Sequence, residues 1–116
     1  MSEIDTATRK LWEGDQAIEQ GLYAEAIELL EWVIMNPPHG GYQYMAAHAI
    51  VRAYAKYSEE TGDTSPLTPG TFDNQKMQIY MNLVIEMFPE MPPDIQRGMP
   101  IDNVIELKEV FDNWGN

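Results

Sequence analysis

A chain of 116 residues that is 44% hydrophobic and carries a formal net charge of −12 is long enough for one globular domain. At this size about two-thirds of the unfolded surface is buried. The acidic balance excludes nucleic acid and anionic membrane as direct partners, because both would repel it, and leaves basic or apolar protein surfaces open. With no cysteine there is neither a disulfide framework nor a thiolate metal site, which suits a reducing compartment. The opening MSEIDTATRK is polar from its second residue and lacks the apolar core of a signal peptide, and no stretch has the length and apolarity of a membrane span. The expectation is a cytoplasmic protein.

Residues 2–20 place Ile4, Ala7, Leu11, Gly14 and Ile18 at helical spacings of three and four, with Ser2 and Asp5 as caps. A glycine inside a helix costs about 1 kcal/mol relative to alanine, so Gly14 is either a tolerated surface glycine or, the sharper expectation, marks a close approach by another backbone. Residues 21–38, GLYAEAIELLEWVIMNPP, form a second amphipathic helix between a glycine and a double proline, with Ala26, Ile27, Leu30, Val33 and Ile34 on its buried face. The two make an antiparallel pair.

The third helix, 42–60, carries alanine at 46, 47, 49, 53 and 55, which permits contact on more than one side and predicts a central position. Residues 61–70 hold two prolines and two glycines and read as a loop, either mobile or functional. A fourth helix spans 72–88, with Met77, Met81, Val84, Ile85 and Phe88 on one face. A proline-started turn covers 91–98. The last helix, 102–114, is capped by Asp102 and closes the domain with Val104, Leu107, Phe111 and Trp114.

The fold class is therefore all-α, with about five helices in a single domain. Gly14, Gly21 with Tyr23, Ala26, Leu30 and Pro38 resemble the pattern of a tetratricopeptide repeat: a small residue in the first helix, a turn glycine, an alanine, a bulky apolar residue and a terminal proline. Lys10, Glu13 and Ala17 depart from it, standing where that family has Trp, Leu and Tyr. A second, divergent unit over 42–89 is suggested by two echoes, Gly70-Thr71-Phe72 of Gly21-Leu22-Tyr23 and residues 83–89 of residues 32–37. The resemblance implies antiparallel helix pairs closed by a capping helix at 100–114, Gly14 and Ala26 at the helix contact, and Tyr23 beneath the turn.

No arrangement of chemistry-bearing residues points to an enzyme, a cofactor or a metal. His39 and His48 are nine residues apart with no third ligand at a recognisable spacing. There is no calcium loop, phosphate loop or nucleophile elbow. Glu25, Glu28 and Glu31 read as a solvated helix face.

Binding surfaces carry the remaining signal. Leu29 and Trp32 lie off the buried stripe of the second helix; they either pack against the N-terminal or C-terminal helix or, exposed, form an aromatic patch for a partner or for a second copy of the chain. The resemblance implies a concave surface lined by the first helices of each unit, with Thr8, Leu11, Asp15, Ile18, Tyr42, Met45, Ala49 and Arg52 on it. That set lacks the Lys, Arg and Asn with which tetratricopeptide domains grip acidic chaperone tails. The functional expectation is a small protein-binding module, adaptor or chaperone-like, for a basic or apolar protein segment. The alternative is an acidic inhibitor, an immunity protein or DNA mimic, although the charge is spread as −6 in residues 1–40, −2 in 41–75 and −4 in 76–116.

Overall fold

The computed structural model describes residues 3–67 and 72–113. Among them the chain is all-helical: α1 (Glu3–Glu19), α2 (Tyr23–Met35), α3 (Gly40–Thr61), α4 (Phe72–Met87), α5 (Pro93–Gly98) and α6 (Asp102–Asn113), with short 3₁₀ turns at Ser65–Leu67 and Phe88–Glu90. The sequence separates five of these helices clearly, and the sixth is the proline-started turn at Pro93–Gly98. The proposed Ser2 cap, the Gly70-Thr71 turn and Trp114 lie outside the described residues.

Consecutive helices pack on one another from α1 to α4; α1 also reaches α3, and α6 lies on α4. The alanine-rich α3 is central, as its composition demands: Ala46, Ala47, Ala49 and Ala53 are buried with Tyr44, Ile50 and Val51. Small side chains let neighbouring helices close on two of its sides, and Tyr44 and Ile50 fill what remains. Met77 and Met81 of α4 are fully packed core.

The turns are set by backbone chemistry. Gly21 adopts φ +79°, a left-handed conformation that glycine takes without penalty. The N–H of Leu22 then returns to the Ala17 carbonyl at 2.8 Å and that of Gly21 to Ile18 at 3.1 Å, the paired bonds that close a helix C-terminus. Gly62 closes α3 in the same conformation. Asn36 ends α2 by bonding the Trp32 carbonyl through both its backbone and its side chain. The next helix starts two residues earlier than its apolar pattern indicates, because His39 caps it: His39 Nδ1 accepts from the Gly41 N–H at 3.1 Å.

Gly14 is buried for a reason different from the one its position suggests. A methyl group there would stand 2.8 Å from Leu30 Cδ2 and 2.9 Å from Leu30 Cγ. The close approach is thus a leucine side chain of α2 laid across the α1 backbone, whereas the sequence pointed to Ala26 and backbone contact. Tyr23 likewise does more than sit under its own turn, for it crosses to the end of α3.

Candidate functional site

Two surfaces emerge, one along α1 and α3 and one at the end of the bundle where the Gly21 and Gly62 turns meet. On the first, the Thr8 and Tyr42 hydroxyls share a hydrogen bond at 2.8 Å, and Arg52 Nη2 donates to Asp15 Oδ1 at 2.8 Å. Leu11 and Met45 are half-buried against the core. Ile18 and Ala49 are corrections: they are 2% and 1% exposed and are core, because α1 and α3 pack directly on that line. The face therefore keeps Thr8, Leu11, Asp15, Tyr42, Met45 and Arg52, with its polar groups already bonded to one another.

The aromatic patch considered on α2 is partly covered. Trp32 is half-buried, packed against the core and covered by Lys10, whose Nζ stands 5.1 Å from the ring centre. Leu29 is half-buried too. Among the described residues the openly exposed tryptophan is Trp12 in α1, at 63%.

The second surface is a pocket of about 580 Å³, a size in the range of small-ligand sites, about 300–1,000 Å³. Its walls are Tyr23 and Ile27 of α2 with Tyr54 and Tyr57 of α3; Glu25, Asp63, Asp73 and Lys76 also line it. Residues 54 and 57 are three apart and so share a helix face, and the Gly62 turn brings the loop carboxylate of Asp63 back beneath them. Tyr23 meets Tyr57 edge to face, 6.0 Å between ring centres at 84°, a favoured aromatic geometry.

Hydrogen bonds hold this arrangement. The Tyr23 hydroxyl donates to Glu60 at 2.5 Å and the Tyr57 hydroxyl to Asp63 Oδ2 at 2.9 Å. Asp63 Oδ1 accepts the Ser65 N–H at 2.9 Å. Bonds from Ser65, through its hydroxyl and its N–H, and from Tyr57 hold the Asp63 carboxyl below its ordinary range, so it stays ionised. The hydrogen bond to Glu60, then burial, pushes the Tyr23 hydroxyl up to about 12; burial, with Asp73 and Glu31 nearby, does the same for Tyr54. The hydroxyls remain protonated at neutral pH.

Glu31 departs from its expected role. Where Glu25 and Glu28 are exposed, Glu31 accepts Lys76 Nζ at 3.2 and 3.4 Å and the Tyr80 hydroxyl at 3.1 Å. It binds α2 to α4 and ties up the cation that lines the pocket.

His48 lies elsewhere, where α3 meets the segment before α6. Its Nε2 is 2.9 Å from the Pro100 carbonyl, which can only accept, so Nε2 carries the proton. Nδ1 is buried without a hydrogen-bond partner among the described residues, and burial lowers the pKa of the ring against the opposing Pro100 bond. Beside it the Tyr44 hydroxyl donates to the Met99 carbonyl at 2.5 Å. Both groups fasten residues 99–100 and are structural. Among the described residues, no group of three or more histidines and carboxylates is placed to hold a metal ion, and no helix is long and apolar enough to cross a membrane.

No family model, curated protein or solved structure matches the chain.

Proposed function

We propose that this protein is a small acidic binding module of tetratricopeptide-like helix pairs, and that it recognises a basic segment of another protein. The observation that carries the reading is the turn-end pocket: three tyrosines around a concavity whose lining holds three carboxylates and one lysine, the lysine already bound to Glu31. Negative charge in a cleft raises the local concentration of cations and speeds their encounter. Aromatic walls add contact area and cation–π attraction, about 0.5–2 kcal/mol per contact depending on desolvation.

The paired groups on the α1 and α3 face suit a lesser role, as flanking contacts once a segment is held. The inhibitor reading draws on the net charge of −12 and the small size, which both readings share, whereas the pocket favours the module.

Fluorescence anisotropy with defined peptides tests this. A labelled peptide mixing lysine, arginine and apolar residues is expected to bind, and the same peptide with glutamine at each basic position is expected to bind about tenfold or more weakly, a difference of about 1.4 kcal/mol. Equal affinity for the two, or none for either, would remove the reading.

A further inference from the structure

We infer that the turn-end pocket is a subsite for a single organic ammonium group on an apolar stem, the chemistry of a lysine side chain. This rests on the binding-module reading and deepens it. The atoms left to meet a ligand decide its chemistry. The Tyr23 and Tyr57 hydroxyls spend their protons on Glu60 and Asp63. What these two side chains still offer is hydroxyl lone pairs and the ring surface that lines the pocket, and both suit a cation that brings its own N–H donors.

The charges agree in sign. Glu25, Asp63 and Asp73 line the space against one lysine, and that lysine reaches Glu31 at 3.2 Å. An anion would meet three carboxylates. A neutral apolar group would strip water from them without returning a hydrogen bond. An alkylammonium satisfies both requirements, its methylenes lying along Ile27 and the tyrosine rings and its charge at the carboxylates. The carboxylate at Asp63 is positioned beforehand by Tyr57 and Ser65, so little ordering remains to be done on binding.

The same group can come from a partner's lysine or from a free amine, and two arms separate these sources. In the first, the full chain labelled with nitrogen-15 is titrated by NMR with n-butylammonium chloride and, separately, with 1-butanol of matching length. Butylammonium is expected to give saturable shifts at the amides of residues 21–27, 54–63 and 73–76, and 1-butanol none that saturate. The double variant Asp63→Asn/Asp73→Asn should weaken butylammonium at least about tenfold, a change of about 1.4 kcal/mol, while its thermal melt confirms folding. As a second variant away from the Tyr57 bond, Glu25→Gln alone should weaken it severalfold. In the second arm a basic peptide competes with butylammonium for those shifts if a lysine is the natural occupant.

Shifts scattered over the whole acidic surface, or equal shifts with the alcohol, would overturn the inference even if the basic peptide bound elsewhere on the module. Saturation of the pocket by butylammonium with no binding of the basic peptide would uphold the ammonium site, assign it to a free amine and remove the module reading.

Discussion

The α1 and α3 face and the turn-end pocket are built from the same residue types and reach opposite electrostatic ends. On the face, the one arginine meets the one carboxylate, Arg52 with Asp15, and two hydroxyls meet each other, Thr8 with Tyr42. In the pocket, the Tyr57 hydroxyl donates to an Asp63 carboxylate that keeps its charge, and the lysine that lines it is held by Glu31. Pairing consumes the recognition capacity of the first surface and concentrates that of the second. A strongly acidic composition locates nothing by itself; the distribution of its few cations does.

The largest expected effect tests whether the two surfaces are mechanically separate. Leu30 is fully buried and lies on Gly14, so Leu30→Ala is expected to cost about 2–5 kcal/mol by opening a cavity, read in a urea melt. That cavity loosens α1 against α2. Below the melting transition, cation binding at the other end of α2 should survive it.

Next comes Gly14→Ala. In an open helix this change would stabilise by about 1 kcal/mol. Here the new methyl meets Leu30 Cγ at 2.9 Å, well inside contact distance, and overpacking of this kind costs about 1–3 kcal/mol. A lowered melting temperature is expected, and a raised one would show that Leu30 yields freely. Glu31→Gln is smaller, about 1 kcal/mol for its lost bonds from Lys76 and Tyr80. Because it also removes a negative charge next to the pocket, butylammonium should bind more weakly by NMR titration.

Arg52→Gln breaks a surface pair whose side chains are both more than 40% exposed, and such pairs contribute between about 0 and 1 kcal/mol. A melt should hardly register it, and pocket binding should be unchanged. The smallest effect is pH-dependent. Burial lowers the His48 pKa in the folded chain, so the unfolded chain takes up the proton first. Stability is full above the unfolded value, about 6.5, and falls as pH drops below it towards the folded value. His48→Gln, which retains a donor for the Pro100 carbonyl, should melt with a shallower decline between pH 7.5 and 5.5 than the parent.

Much of the fold is legible in the sequence because helical periodicity and breakers are local signals. Ala46, Ala47, Ala49 and Ala53 announce a central helix, and Met77 and Met81 fall in the core where their spacing puts them. The start of α3 is hidden because histidine is seldom a cap, and its role here depends on the following glycines. The partner of Gly14 is hidden because spacing says only that something approaches, and a leucine tip four residues beyond Ala26 is as available as the alanine.

The pocket is harder still to read. Tyr54 and Tyr57 look like further members of a buried stripe, and Asp63 and Asp73 are ten residues apart; only the Gly62 turn and the return of α4 bring them together. Trp32 shows what one helix leaves open. Its place off the apolar stripe fits either exposure or packing on another helix, and Lys10 of α1 lies over its ring. A single-helix pattern does not choose between the two.

The proposed cation recognition belongs to the pocket and not to the α1 and α3 face. The direct measurement is the affinity of one basic peptide, by anisotropy, for the parent and for two charge-neutralised variants that melt normally, Asp63→Asn/Asp73→Asn in the pocket and Asp15→Asn/Arg52→Gln on the face. A loss of about tenfold or more, about 1.4 kcal/mol, is expected for the first and one of less than about twofold for the second. A loss confined to the face variant would contradict it.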